Sequence, residues 1–322
     1  MSNVTRNNHF VPQFYLRQWS DDGARIWAYR LLVEHQNVPD WSQVAIRSAA
    51  SVRDLYTQLI SGKEADEFER WVKETFEDPA APVLARLVAD DELRAEDWKH
   101  LAGLLAVQDL RTPSNLVSPL SRWAEEIPQL LEESLRGAVD DLKRGRRHVP
   151  RPEEPGMAEL RQTFRVEVDH DAPAPPGMSQ LRAEVTPGRS MWLGSMHLLL
   201  NKAVSILGKH KWSIAEPSPG WEWITCDHPV LRLNYNGPDD YSFQGGWDFR
   251  GTDLMMPLSP RHLLFTQVGH EHPRRFTFST DKTVEIQRLF CERAHRFVFA
   301  RKPARRVAWF RPRIVDAAIV HA

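Results

Sequence analysis

The sequence predicts an α+β fold in which a mostly antiparallel sheet, built from N- and C-terminal strands, packs on a helical middle block. Three observations predict it. Apolar residues alternate or come in short runs near the start and again beyond residue 210, and they recur at helical spacing between 64 and 142. The order strands, helices, strands, helix, strand shows no regular βαβ repeat.

Taken in order, 9–19 is aromatic and apolar and reads as a short strand or turn leading into a helical turn. Residues 25–32 alternate and predict a strand, with 43–46 as a weaker partner. In 64–76, Phe68, Trp71, Val72, Thr75 and Phe76 fall at helical spacing. Asp78-Pro79 should stop that helix and start another, striped by Val83, Leu84, Leu87 and Val88. A helix start at 94–97 precedes Trp98, Leu101, Leu104, Leu105 and Gln108 on one face. The helical stretch 116–142 should be divided at Pro119 and Pro128. Residues 160–168 alternate, 190–207 return to helical spacing, and 212–215, 221–226, 230–233, 253–256 and 263–268 are short apolar runs bounded by Pro, Gly and Asp. A helix at 281–294 and a strand at 296–300 close the pattern. The expected organisation is one α+β domain over 1–322, with a helical block at 64–142, flexible loops at 143–156 and 171–177, and a strand-rich part at 210–300.

The 322 residues are 42% hydrophobic and 26% charged, which excludes a disordered, collagen-like or coiled-coil chain as a description of the whole. No uncharged apolar run approaches the roughly 20 residues that span a bilayer. The 42 basic and 43 acidic side chains nearly cancel. Residues 1–160 nevertheless carry 20 Lys and Arg against 27 Asp and Glu, and residues 161–322 carry 22 against 16, an asymmetry that can steer an anionic ligand toward one face but says nothing about fold. Two cysteines without a CxxC pair, and an N-terminus without an apolar h-region, lead to the expectation of a cytoplasmic protein with free thiols and no membrane association.

There is no P-loop, GxGxxG after a strand, HExxH or GxSxG. Three segments nonetheless place polar residues in apolar surroundings. In 8–17, His9 precedes Pro12 by three residues and reads either as a general base or metal ligand, or as a buried histidine donating to a carbonyl. In 108–113, Gln108 and Arg111 share a helix face, and Arg111 stands where the helix should end before Thr112-Pro113. Its planar fork suits a phosphate or carboxylate, or else a local carboxylate or capping carbonyls. In 223–230 an apolar strand delivers Asp227 and His228 before Pro229. Asp227 reads as a cation ligand or histidine orienter, or as a carboxylate accepting backbone N–H groups in a turn. Cys226 is a candidate nucleophile or a buried structural thiol, and His270 with His272 a candidate metal pair or part of a solvent loop. Residues 301–313 hold six basic side chains, among them Arg305, Arg306 and Arg311, with Trp309 and Phe310 between them. That mixture suits single-stranded nucleic acid, or an edge strand that keeps its charges in solvent.

Together, the His9-Phe10-Val11-Pro12-Gln13-Phe14-Tyr15-Leu16 run, Gln108-Asp109-Leu110-Arg111-Thr112-Pro113, Thr225-Cys226-Asp227-His228-Pro229-Val230 and Pro257-Leu258-Ser259-Pro260 resemble the DUF4238 family over residues 7–300. The resemblance implies a helical middle flanked by strands, an HxxP element near the start and a Ser/Thr-x-Asp-x-Pro element late in the chain.

The sequence-based expectation is that His9, Gln108, Arg111 and Asp227 meet in one pocket. His9 would be the general base or a ligand, Asp227 its orienter or a second ligand, Arg111 an anion clamp and Gln108 a positioning group. Such a pocket suits a hydrolase or transferase acting on a phosphate-bearing or nucleic-acid substrate. The cofactor is left open, with a divalent metal on His9 and Asp227 as the candidate. The alternatives are a non-enzymatic nucleic-acid or protein binding module using Arg305, Arg306 and Arg311, or a buried structural network of the same four polar residues.

Overall fold

Alternation at the N-terminal end builds strands, as the computed structural model shows for the residues it describes: 7–53, 55–56, 58–60, 63–112, 136–137, 140–141, 143–145, 164–169, 180–185 and 189–320. Strand β1 (Asn7–His9) leads through Pro12 into the helical turn α1 (Gln13–Leu16). Then come β2 (Arg25–Arg30), β3 (Leu32–Val33), β4 (Trp41–Ala45), β5 (Ser51–Arg53), β6 (Gln58–Ile60) and β7 (Lys63–Ala65). Helix α2 (Glu67–Val72) does not stop at Pro79. It runs through a π-helical segment, Lys73–Glu77, into α3 (Asp78–Val88). Proline cannot donate the i→i−4 bond, and the wider turn just before it absorbs the missing donor, so the expected break becomes a bulge.

Helix α4 (Ala95–Leu110) starts where Asp97 accepts from the Arg94 N–H (2.8 Å) and is buried at every position from Leu101 to Asp109. That stretch, buried all round, lies inside the core, whereas the start of the helix leaves Ala95, Glu96 and Lys99 exposed. Next are β8 (Phe164–Asp169), β9 (Gln180–Val185) and α5 (Arg189–Leu207). The strand-rich part holds β10 (Ser213–Glu216), β11 (Thr225–Cys226), β12 (Leu231–Gly237), β13 (Asp240–Ser242), β14 (Asp253–Pro257), β15 (Leu263–Gln267) and β16 (Arg275–Thr277). Helix α6 (Thr280–Arg293), β17 (Phe297–Ala300), the helical turn α7 (Arg306–Phe310), β18 (Ile314–Val315) and the turn α8 (Ala317–Val320) follow.

The chain divides into two compact units. The first comprises Met1–Thr57, Ala65–Thr112 and Lys202–Ala322; the second comprises Gln58–Glu64 and Pro113–Asn201. In the second unit, β8 and β9 pair antiparallel, Phe164 opposite Val185. The first unit holds a six-stranded sheet ordered β13-β12-β14-β15-β10-β16, antiparallel except for the parallel β10–β16 pair, and a four-stranded antiparallel sheet ordered β11-β17-β2-β4. Ile286, Leu289 and Phe290 of α6 pack in one core with Leu231, Leu233, Met255 and Leu263 of the larger sheet and with Tyr29, Cys226 and Val298 of the smaller one. The fold is therefore α+β, mostly antiparallel, with a helical region in the middle. Of the expected helical stretch 116–142 and the loops 143–156 and 171–177, all but 136–137, 140–141 and 143–145 lie outside the described residues.

Candidate functional site

The end of α4 gathers three of the four residues expected to converge. β1 pairs with β5, His9 opposite Ser51, and the Phe10 N–H donates to Ala50 O (3.0 Å). This carries the Phe10 carbonyl to Arg111, whose Nε donates to it (2.9 Å). Arg111 Nη1 pairs with Glu77 Oε1 (2.5 Å), a carboxylate that the π-helical turn brings round. Gln108, one turn earlier on the same face, donates to Phe10 O (3.2 Å) and accepts from Arg111 Nη2 (3.2 Å). The Tyr56 hydroxyl donates to Arg111 O (2.9 Å). Arg111 is thus saturated by a carbonyl, a carboxylate and an amide, and its side chain is 3% exposed. The anion-clamp role expected of it is not available, because the fork is already spent on fastening the HxxP segment to the helix end.

His9 lies beside this clasp. Burial lowers its pKa; the carbonyls of Ile46 and Arg47 oppose that, and the Arg111 charge adds to it. Its imidazole is therefore neutral at neutral pH, with Nε2 buried and without a partner among the described residues. Asn8 faces the other way. Its amide donates to Glu69, and its oxygen accepts from the Tyr56 N–H (3.2 Å). Burial pushes the Glu69 carboxyl up to about 7, against the pull of Asn8 and Arg111.

A carboxyl raised in the folded state binds more protons folded than unfolded. Its stabilisation is present below its unfolded value and is lost as pH rises through the folded one. For this half-buried group the loss is no more than about 1–2 kcal/mol after solvent screening. Urea unfolding at about pH 5 and about pH 7.5 should therefore show a steeper decline in the wild type than in Glu69→Gln; equal declines would remove Glu69 from the clasp.

Asp227 stands in a different set of contacts. One oxygen accepts from the His295 N–H (2.8 Å), and the other from the N–H groups of Arg296 (2.7 Å) and Phe297 (3.1 Å). Burial raises this carboxyl while the three N–H donors hold it down. Both oxygens are committed to the turn between α6 and β17, which departs from the role of histidine orienter or metal ligand. Among the described residues no group of three or more His, Cys, Asp or Glu is placed to hold a metal ion. His228 accepts from Arg293 Nη2 at Nε2 (2.8 Å), and burial holds its pKa well below the usual histidine value. Cys226 is fully buried with its pKa pushed far up by burial, the opposite of an activated thiol. His270 and His272 lie in an exposed loop. Asp109, about 100° round α4 from Gln108, accepts from Trp247 Nε1 (2.8 Å) and faces Arg232 Nε at 3.5 Å.

The basic C-terminal stretch forms part of a cleft. A cavity of about 880 Å³ is walled by 216–224 on one side and 300–306 on the other, with Arg261, Thr277 and Gln287 completing it. Arg261, Arg301, Lys302, Arg305 and Arg306 line it against two carboxylates, Glu216 and Glu222. Arg301 pairs with Glu222, and Arg261 reaches Glu216 (3.8 Å) and Asp90 (3.5 Å). Lys302, Arg305 and Arg306 are exposed and make no ion pair among the described residues. The Arg306 guanidinium lies 4.4 Å from the Trp221 ring centroid. Arg311 is not in the wall; its carbonyl accepts from the Tyr29 hydroxyl (3.0 Å).

Three of the quoted motifs meet at Tyr15, and Trp19 adds a bond to the segment before the third. Tyr15 places its hydroxyl on Pro257 O (2.6 Å) and Thr225 Oγ1 (2.7 Å), and Trp19 donates to Trp223 O (2.8 Å). Residues 7–304 match the family described as protein of unknown function, DUF4238. The chain belongs to the DUF4238 family. No curated protein and no solved structure matches it. No helix among the described residues is long and apolar enough to cross a membrane.

In this DUF4238 chain the motif residues chiefly build the joint between the N-terminal segment, the end of α4 and the strands. Sequence reasoning missed Glu77, Glu69 and Trp221. The signals for Trp221 were present: a Pro-Ser-Pro-Gly turn at 217–220 followed by two alternate tryptophans.

Proposed function

We propose that this protein binds single-stranded nucleic acid in the cleft between 216–224 and 300–306. The observation that carries the reading is the cleft's charge: five cations face two carboxylates, and three of the cations are unpaired among the described residues. Exposed, unpaired cations beside an aromatic ring are what a phosphate backbone and its bases require. The volume lies in the range of ordinary ligand sites.

Fluorescence anisotropy with a labelled single-stranded dodecamer across a salt series tests it. Binding should weaken steeply with salt, and the Lys302→Ala, Arg305→Ala double variant should lower the slope by about 0.7 for each cation removed. Arg311→Ala should leave binding unchanged, because Arg311 lies outside the wall. Binding that ignores both salt and the double variant would overturn the reading.

One observation favours a second reading, a hydrolase or transferase with His9 as general base: Nε2 is a buried acceptor with no partner among the described residues, on a neutral imidazole. Turnover of bis(p-nitrophenyl) phosphate that disappears in His9→Gln at unchanged melting temperature would support it. Absence of turnover in the wild type would count against it.

A further inference from the structure

We propose that Trp221 is a base-stacking platform and that Arg306 is its displaceable cover, so that the cleft takes a base together with its phosphates rather than phosphates alone. This rests on the cleft reading above and assigns its parts.

The two tryptophans in the wall are not equivalent. Trp223 is 1% exposed, donates to Ala215 O (3.2 Å) and meets Phe278 edge-on, so its ring is committed to the core. Trp221 is half-buried, and its face is covered by the Arg306 guanidinium. The cations divide similarly. Arg301 and Arg261 are held by carboxylates, which leaves Lys302 and Arg305 for phosphate.

Arg306 has somewhere else to go. It also lines a neighbouring recess of about 560 Å³ with Asp239, Asp281, Glu285 and Arg288, the last already paired with Glu292 (3.1 Å). Glu285 is bonded to Lys282 (2.7 Å) and to Tyr235, whereas Asp239 and Asp281 make no ion pair among the described residues. A base arriving on Trp221 exchanges a solvent-exposed cation–π contact for a stack, which is the stronger of the two, and the freed guanidinium gains a carboxylate. The swap makes and breaks no covalent bond and moves one exposed side chain.

The test compares a single-stranded dodecamer with an abasic dodecamer of equal phosphate number, each bound to the full chain at one salt concentration. The wild type should prefer the base-bearing strand about tenfold. Trp221→Leu should bring that ratio close to one. Arg306→Ala, an exposed substitution that does not threaten folding, should raise the ratio because the cover is gone; taking the ratio cancels the loss of one charge. Equal binding of the two strands by the wild type, or a lower ratio in Arg306→Ala, would overturn the stacking proposal and leave the cleft reading standing. Failure of both strands to bind would overturn the cleft reading and this proposal with it.

Discussion

Arg111→Met is expected to cost about 3–5 kcal/mol of folding stability, the usual range for breaking a buried pair by removing one partner. The guanidinium answers Glu77, Phe10 O and Gln108 at once, and its removal leaves a carboxylate and a carbonyl without their donor in a water-poor place. Arg111→Lys should recover only part of the loss. An ammonium can match the Glu77 charge but lacks the planar fork that holds the carbonyl and the carboxylate together. The urea midpoint of each variant measures this. A loss below about 1 kcal/mol for the methionine variant would show that Glu77 relaxes into water and that the clasp is weak.

Asp227→Ala is expected to cost about 2–4 kcal/mol. Three N–H groups lose a charged acceptor. The penalty stops short of three full charge-assisted bonds because His295 and Arg296 are exposed enough for water to replace it in part. Asp227→Asn keeps one acceptor oxygen and should fall between the two. Unfolding curves, together with hydrogen exchange at 295–297, check the expectation. A variant that unfolds like the wild type but loses oligonucleotide binding would make Asp227 a ligand group and contradict the structural role.

Periodicity made the secondary structure legible. The alternation at 25–32 is β2, and the stripe from Trp98 to Gln108 is α4. The three-residue spacing of Gln108 and Arg111 placed both on one face, and the HxxP segment docks on that face. The partner that neutralises Arg111 could not be read in advance. Glu77 reaches it only through a π-helical turn, where the sequence pattern suggested a break. Asp227 illustrates a different limit. A carboxylate at a strand end looks the same in sequence whether it faces a ligand or three N–H groups of a turn seventy residues further along, and only the fold decides.

The charge and rings of the basic stretch 301–313 suit a nucleic-acid surface or a solvent-facing edge strand. Its middle is instead the turn α7, because Val307 is buried in the core containing α6 and pulls the backbone into a helical bond with Ala304. That turn sets Arg305 and Arg306 opposite Trp221, a pairing of distant segments that no local pattern announces.

Amide hydrogen exchange on the full chain, with and without a saturating single-stranded oligonucleotide, tests the central claim most directly. The account predicts protection at 217–224 and 300–306, with the segments around His9 and Arg111 exchanging as before. Protection confined to the His9 and Arg111 segments, with the cleft unchanged, would contradict it.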